Sequence, residues 1–310
     1  YILNWLACAE SHGLTIDYVG GWNERGYNAP WLIAFSQAVK EKYPHIQLIA
    51  ADSNVDIWRI ADDMARSPAL YDAIDIIGVH SPCGWRSEYR QCSSTAVARE
   101  LGKPLWTSEY SAQGHDVGAP PIARAMNRHY IDARITGNLN WSLASSWYAT
   151  YPIADTGLIL AAWPWSGHYR IGKSVWVHAH TAQFSEVGWL YIDSASRRLS
   201  SGATVVGMMS PERDAYSLII ETVDAPRTEA VEFRITGGLP VEPLHVWATN
   251  LLSDDPDDHF VKIGTVMPGP DGRFMLTLEP GHVYSVTNTT GQGKGDARPS
   301  TGAGEQMSLP

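Results

Sequence analysis

The chain has 310 residues, of which 44% are hydrophobic and 18% are charged, so it can bury a sizeable core. This composition excludes a disordered or collagen-like chain, and the length suits one large domain plus a smaller one. The formal net charge is −10, so we expect no nucleic-acid partner and no binding to an anionic membrane surface. No apolar run reaches the roughly 18 residues that a transmembrane helix needs, so no integral membrane segment is expected.

The aromatic composition is unusual, with 13 Trp and 14 Tyr but only 5 Phe. A hydrophobic core takes Phe as readily as Trp, whereas amphipathic rings also stack on ligands that have apolar faces and hydroxyl groups. Two interpretations stay open: sugar-binding surfaces, or a core that is rich in Trp.

The two ends of the chain carry different signals. It starts at Tyr1 without a visible signal peptide, and the first strand follows only one short helical stretch, so we expect upstream sequence to be missing. Residues 290–310 are mainly Gly, Pro, Ser and Thr, a composition typical of a flexible tail or linker.

Three cysteines occur in the sequence. Cys83 and Cys92 are close enough in sequence to form a disulfide that closes a small loop. Cys8 is then expected to be unpaired, or paired with a residue that is missing from this sequence. Three reduced thiols are the alternative. We expect no metal site, because no second Cys or His pair has ligand spacing.

The first half of the chain alternates apolar runs with helical patterns. The helical stretches cover residues 29–43, 55–71 (interrupted at Pro68), 95–101 and 121–136, and the apolar runs cover 16–23, 46–52, 73–80, 105–109 and 138–148. Apolar runs separated by helices predict a parallel sheet that is buried on both faces. Such units fit an open doubly wound sheet or part of a (β/α)₈ barrel.

The ends of the runs favour the barrel. Each run ends in polar or aromatic residues, and the carboxyl ends of barrel strands meet at one mouth, where the active site lies. None of these ends has a Gly-rich phosphate loop, which weakens a nucleotide-binding interpretation. Because five strands are not eight, a full barrel would need about three more strands before Tyr1.

The second half has short runs of strand character, separated by turns that contain Gly, Pro and Asp. A helical stretch at 173–184 is followed by runs at 204–209, 216–222, 230–235, 243–249, 259–266, 273–278 and 283–288. This spacing predicts an antiparallel β-sandwich. We therefore divide the chain into the later part of a (β/α)₈ TIM barrel (1–152), a connection with a helix (153–186), a β-sandwich (187–289) and a tail (290–310).

Glu24 and Glu109 each lie at the end of an apolar run, where a buried strand predicts no charge. Two carboxylates at one barrel mouth can hydrolyse a glycoside: one protonates the leaving oxygen and the other attacks the anomeric carbon. The alternative is a structural role, with Glu24 paired to Arg25 and Glu109 to a nearby arginine. His80 also ends a run, as a structural histidine or as a residue of the pocket.

Five segments, in this order, resemble the galactocerebrosidase family of glycoside hydrolases, which remove galactose from galactosylceramide. They are WNER (22–25), IIGVHSP (76–82), WTSEYS (106–111), WPWSGHY (163–169) and VWVHAHTAQFSEVGWLYI (175–192). The strand-end Asn-Glu pair occurs in many retaining barrel glycosidases, whereas the last two segments are far more specific.

The resemblance implies a (β/α)₈ barrel with a β-sandwich, no cofactor and a retaining β-galactosidase activity. It implies Glu24 as acid/base with Asn23 beside it, Glu109 as nucleophile followed by Ser111, and Trp141 as a pocket aromatic. It further implies a galactolipid or β-galactoside substrate, a saposin-like lipid-presenting partner in animals, and a secreted or, in animals, lysosomal location.

Two alternatives to this function stay open. One is another retaining barrel glycosidase, acting on β-glucosides or β-xylosides, and the other is a non-catalytic carbohydrate-binding fragment. If the early barrel strands are missing, we expect the chain by itself to be inactive.

Overall fold

The computed structural model describes residues 1–84, 92–111, 114–145, 156–163 and 167–295. The described residues form two compact units. Residues 1–84, 92–110 and 132–140 belong to the first unit, and the other described residues belong to the second.

The first unit contains a parallel sheet with five strands, in the order β1-β2-β3-β4-β5. The strands are β1 (Tyr18–Gly20), β2 (Gln47–Ser53), β3 (Ile76–His80), β4 (Leu105–Tyr110) and β5 (Ile135–Asn140). The helices along this part of the chain are α1 (Ile2–Ser11), α2 (Ala29–Lys42), α3 (Arg59–Arg66), α4 (Pro68–Ala73), α5 (Ala96–Glu100) and α6 (Ala119–Ala133). The predicted alternation of strands and helices is confirmed, and strands in sequence order are neighbours in the sheet.

The core of the first unit explains why its strands are apolar without alternation. All residues of β3 are buried, because helices cover the sheet. One cluster joins β2, β3 and β4 to helices α2 to α5, and a second joins Leu6 of α1 to Val39 of α2 and Leu48 of β2. These contacts pack the helices against the strands of the sheet.

Several helices begin at side chains that cap them. Asn28 accepts a hydrogen bond from the backbone N–H of Trp31, and Ser67 and Thr95 cap α4 and α5 in the same way. The predicted helical region at 55–71 is two helices, because Pro68 lacks a backbone N–H and begins α4 after the cap at Ser67.

The predicted boundary between α6 and the last strand of the sheet is wrong. The helix ends at Ala133, Arg134 has a φ of +62°, and the fully buried Ile135 already begins β5. A left-handed residue turns the chain directly out of the helix. The strand therefore covers 135–140 instead of 138–148, and residues 146–148 of the predicted run lie outside the described residues.

The second unit consists mainly of antiparallel strands. The six-stranded sheet has the order β14-β13-β16-β11-β10-β9, β12 pairs with β15, and a small sheet has the order β6-β7-β8. The strands are β6 (Ala144–Ser145), β7 (Ile159–Trp163), β8 (His168–Ile171), β9 (Leu190–Arg198), β10 (Thr204–Met209), β11 (Tyr216–Glu221), β12 (Glu229–Arg234), β13 (Leu244–Asn250), β14 (Val261–Val266), β15 (Arg273–Leu278) and β16 (His282–Thr287). Helix α7 (Lys173–Ala182) lies between β8 and β9, and a 3₁₀ turn (Pro256–Asp258) follows β13.

The predicted sandwich is confirmed as two packed antiparallel sheets. Leu218 and Val246 of the larger sheet share one core cluster with Phe274 and Leu276 of the smaller. Side chains of β15 alternate between exposed and buried, as expected for a sheet with one face packed on the core and one face exposed to solvent. Sequence analysis missed β9, whose residues are half-buried or exposed because it lies at the edge of its sheet.

The structure resolves the pairing of the cysteines: Cys83 and Cys92 form a disulfide, and Cys8 is an exposed free thiol. In the described part of the chain, no helix is both long and apolar enough to cross a membrane.

Candidate active site

The strand ends of the first unit bring four titratable side chains to one edge of the parallel sheet. Glu24 follows β1, and His80 ends β3. Asp52 and Glu109 are the penultimate residues of β2 and β4. Parallel strands all end at the same edge, so residues far apart in sequence meet there.

The backbone is strained at this edge. Glu24, Asp52 and Ser81 have φ angles of +50°, +58° and +42°, in the left-handed region that non-glycine residues rarely adopt. Such conformations cost on the order of 1–3 kcal/mol each, and they cluster at functional sites. Here they turn the chain sharply at the strand ends.

Glu24 is held by its backbone and by its side chain. Its N–H donates to the carbonyl oxygen of Asp52 at 2.9 Å. Its Oε1 accepts from Nδ2 of Asn54 at 2.9 Å and lies 3.0 Å from Nδ1 of His80. The carboxyl group is one-third exposed, so substrate can reach it while its orientation is set by neighbours.

His80 lies at the centre of the cluster and is almost fully buried. Its Nε2 is 2.8 Å from Oδ1 of Asp52, and its Nδ1 faces Glu24 and lies 3.8 Å from Oε2 of Glu109. Because a carboxylate only accepts, the Nε2 proton is donated to Asp52. His80 was expected to be a structural histidine or a residue of the pocket. In the structure its Nδ1 faces both glutamates.

The electrostatics follow from this crowding. Burial disfavours the charged ring of His80, but hydrogen bonds with Asp52 and Glu24 outweigh it, so the pKa of His80 is raised above its ordinary value. Burial, with the nearby charges of Glu24 and Asp52, also raises the pKa of Glu109, although the charge of His80 opposes this shift. A carboxyl group whose pKa is shifted by burial and by neighbouring charges marks a candidate functional site.

The spacing of the two glutamates constrains the chemistry. One oxygen of Glu24, one oxygen of Glu109 and a ring nitrogen of His80 all lie within 4.8 Å of one another. Retaining glycosidases place their two carboxyl groups about 5–5.5 Å apart, whereas inverting enzymes leave about 6.5–9.5 Å for a water molecule. These three side chains could also offer one ligand atom each to a cation, but Nδ1 of His80 already hydrogen-bonds to Glu24.

The structural-bridge alternative does not match these contacts. In the described residues the ion-pair partner of both glutamates is His80, and neither pairs with an arginine. The site also contains two residues that sequence analysis did not assign, Asp52 and Asn54. The signal for Asp52 was its position at the end of an apolar run, the same criterion that selects Glu24 and Glu109.

The remaining predicted residues are placed as follows. Asn23 is exposed and directly precedes Glu24, beyond the end of β1. Ser111 follows β4 and is fully buried, and Trp141 follows β5 with its side chain partly exposed; both belong to the second unit. The role of these three residues in binding substrate stays a prediction.

The fold is similar to that of solved glycoside hydrolases. The catalytic domain of GH30 xylanase C from Talaromyces cellulolyticus matches with a TM-score of 0.72 and 14% identity, over 94% of this chain and 66% of that chain. The family 30 subfamily 8 xylanase Xyn30A from Clostridium acetobutylicum matches with a TM-score of 0.70 and 14% identity, over 91% of this chain and 68% of that chain. At this identity the likeness concerns the fold alone.

Sequence relatives identify the family. Galactocerebrosidase of Homo sapiens is 30% identical over 95% of this chain and 44% of its own length, and that of Danio rerio is 28% identical over 94% and 45%. The chain thus spans less than half the length of these curated relatives. The family model described as "Glycosyl hydrolase family 59" matches residues 1–183, which include Glu24, His80 and Glu109. The chain belongs to glycosyl hydrolase family 59.

Proposed function

We propose that this chain carries the catalytic pair of a retaining β-galactosidase that acts on galactosylceramide or a related β-galactoside. The observation that carries the proposal is the approach of Glu24 and Glu109 to within 4.8 Å at one edge of the parallel sheet. A separation this short supports a retaining mechanism, because inverting enzymes leave about 6.5–9.5 Å between their carboxyl groups for a water molecule. The galactocerebrosidase names of the relatives support the choice of galactose.

In the first step Glu109 attacks the anomeric carbon, while Glu24 donates its proton to the glycosidic oxygen. The bond between the anomeric carbon and that oxygen breaks, its electron pair stays on the protonated leaving group, and a galactosyl ester of Glu109 forms. The charged ring of His80, 3.8 Å from Oε2 of Glu109, favours the ionised nucleophile in a buried site.

In the second step Glu24, now ionised, takes a proton from water. The resulting hydroxide attacks the anomeric carbon and releases Glu109, so galactose leaves with its original configuration. Glu24 therefore alternates between acid and base, which requires that its carboxyl group stay in one position throughout the cycle. The contacts from Asn54 and His80 meet this requirement.

The proposed compartment is oxidising: secreted, or lysosomal in an animal. The disulfide between Cys83 and Cys92 supports this, because disulfides persist outside the cytosol. The proposed substrate is a galactolipid, and a saposin-like protein that presents lipid in animals stays a prediction from the family resemblance.

The test is hydrolysis by the protein that carries this chain, followed by ¹H NMR. Nitrophenyl β-galactoside, β-glucoside and β-xyloside are compared, and galactosylceramide is supplied in detergent micelles. We expect the galactoside to be preferred and β-galactose to appear before mutarotation. Initial release of α-galactose would overturn the retaining mechanism. A preference for the glucoside or the xyloside would overturn the assignment of galactose as the sugar. Sugar binding without turnover would show a non-catalytic carbohydrate-binding protein.

A further inference from the structure

The acid/base candidate Glu24 is oriented by two neighbours that occupy the same oxygen. Nδ2 of Asn54 and Nδ1 of His80 both lie within hydrogen-bond distance of Oε1, at 2.9 and 3.0 Å. No described residue bonds Oε2. When Glu24 is the acid, its proton is therefore favoured on Oε2, because Oε1 already accepts from two donors.

His80 is a donor to Glu24 only while Nδ1 carries a proton. Its other nitrogen, Nε2, donates to Asp52 at 2.8 Å, so a neutral ring would leave Nδ1 without a proton. The doubly protonated ring has an acceptor at each nitrogen. The charged groups that face the ring are the carboxylates of Asp52 on β2, Glu24 after β1 and Glu109 on β4.

Asp52 holds Glu24 in a second way as well. Its carbonyl oxygen accepts the backbone N–H of Glu24 at 2.9 Å, while its own φ of +58° departs from strand geometry. Space for its carboxylate comes from Gly20 on β1, where an added Cβ would lie 3.3 Å from Oδ2 of Asp52. One residue thus contacts the main chain of the acid and, through the buried His80, its side chain.

We propose that Asp52 is a positioning residue, which acts through His80 to hold the carboxyl group of Glu24 so that Oε2 delivers the proton to the glycosidic oxygen. This inference rests on the proposed function. In this role Asp52 and His80 exchange no proton with the substrate. The role of Asp52 is to keep a proton on both ring nitrogens and to fix the direction of the ring.

The consequence is specific to proton donation. If Asp52 is replaced by alanine, Glu24 stays present, but the hydrogen bond from His80 to Oε1 of Glu24 is weakened. The carboxyl group of Glu24 then loses its fixed orientation. Substrates with poor leaving groups need protonation, and general acid catalysis contributes about 10²–10⁴-fold to rate. Substrates with an activated leaving group need almost none.

The experiment compares Asp52→Ala with wild type on methyl and dinitrophenyl β-galactosides. We expect kcat/KM to fall by about 100-fold for the methyl galactoside but by less than about 5-fold for the dinitrophenyl galactoside. Asp52→Asn, which keeps the shape of the side chain, should give a smaller change in the same direction. Asp72→Asn, an exposed carboxylate on α4 with the same charge change, is the matched control and should leave both rates unaltered.

A double variant separates positioning from a general loss of structure. In a Glu24→Gln background the acid is already absent, so adding Asp52→Ala should lower the methyl galactoside rate by less than about 3-fold further. The ¹⁵N NMR signals of the His80 ring, assigned by their loss in His80→Gln, give a readout that needs no turnover. We expect both nitrogens to be protonated in wild type and at least one signal to shift in Asp52→Ala.

The failures are distinguishable. If wild type cleaves no glycoside, the proposed function fails together with this inference. If wild type is active but Asp52→Ala loses equal rate on both substrates, loses none, or leaves the His80 signals unmoved, the positioning role alone is overturned. If Asp52→Ala lowers the methyl galactoside rate by the same factor in the Glu24→Gln background as in wild type, the positioning role is overturned as well.

Discussion

His80 and Glu109 are register partners in the neighbouring parallel strands β3 and β4, and Nδ1 of His80 lies 3.8 Å from Oε2 of Glu109. The same nitrogen lies 3.0 Å from Oε1 of the proposed acid Glu24. The buried imidazole is therefore next to both the proposed nucleophile and the proposed acid. Two carboxylates in a partly buried site repel each other, and the ring between them reduces that repulsion. The chemistry of the pair therefore depends on a third residue.

The role of Glu109 as nucleophile is tested by Glu109→Ala. We expect turnover of β-galactosides to fall by at least about 10⁴-fold, because the covalent step is lost. Added azide should restore cleavage of a dinitrophenyl galactoside and yield the α-galactosyl azide, since azide enters the space that the side chain leaves. The exposed Glu100→Ala on α5 is the control. A β-configured azide product would assign the nucleophile elsewhere.

The role of Glu24 as acid/base is tested by Glu24→Ala. The dinitrophenyl galactoside should still form the galactosyl-enzyme rapidly, because its leaving group needs no proton, whereas the methyl galactoside should react about 10²–10⁴-fold more slowly. Stopped-flow absorbance should show a burst of dinitrophenol followed by slow turnover. Azide should accelerate that turnover and give the β-galactosyl azide. Equal loss on both substrates, without a burst, would argue against the assignment.

The pH dependence should follow the charges around Glu109. The nucleophile must be ionised, so the acidic limb of kcat/KM reports the pKa of Glu109, which burial holds above its usual range. The charge of His80 opposes that shift, so His80→Gln should move the limb for an activated substrate to higher pH. Glu24 is protonated in the first step, so the neutral Glu24→Gln should leave this limb in place. The limbs belong to the coupled pair, and a move to lower pH in His80→Gln would contradict this electrostatic account.

The disulfide should stabilise the first unit. Cys83 and Cys92 are 9 residues apart in sequence. Closing a loop of this size lowers the conformational entropy of the unfolded chain, which raises the free energy of unfolding by about 2–3 kcal/mol. The Cys83→Ser, Cys92→Ser double variant should therefore unfold at lower temperature in calorimetry, and dithiothreitol should lower the wild-type midpoint in the same way. Cys8→Ser, at the exposed free thiol, is the control. Equal midpoints with and without reductant would contradict the prediction.

The second unit should lose stability in acid through two histidines of α7, His178 and the fully buried His180. His180 hydrogen-bonds to Ser285 and Thr249, and burial lowers its pKa to about 3; burial also lowers the pKa of His178. Between about pH 6.5 and 3 the unfolded chain binds a proton that folded His180 does not, so stability falls as pH falls, by about 1.4 kcal/mol per pH unit from His180. The lowered pKa of His178 acts in the same direction.

Urea unfolding at several pH values, followed by tryptophan fluorescence, measures this dependence. His180→Gln should be less stable at pH 7 but should show a shallower loss in acid, by about one proton. His245→Gln, at a half-buried position on β13, should keep the wild-type slope. An unchanged slope in His180→Gln would mean that His180 is protonated in the folded protein.

The strands and the two glutamates were predictable because their signals are local. A strand buried on both faces needs an unbroken apolar run, and β3 shows one. A glutamate at the end of such a run is conspicuous, which selected Glu24 and Glu109. The edge strand β9 and the start of β5 were misjudged, because an edge strand needs little apolar surface and a single left-handed residue, Arg134, ends α6 without a sequence marker.

By itself the sequence determined the parallel sheet, the antiparallel sandwich, the carboxylate pair and, through its specific segments, the family. Only the tertiary structure decided which strand-end residues meet: an aspartate after an apolar run looks the same in sequence whether it faces water or a histidine 28 positions away. Register between parallel strands and the left-handed turns at Glu24 and Asp52 set those distances, and neither leaves a local pattern. The charges that shift the pKa of Glu109 arise from that convergence, because Coulomb interactions depend on separation in space and not on separation along the chain.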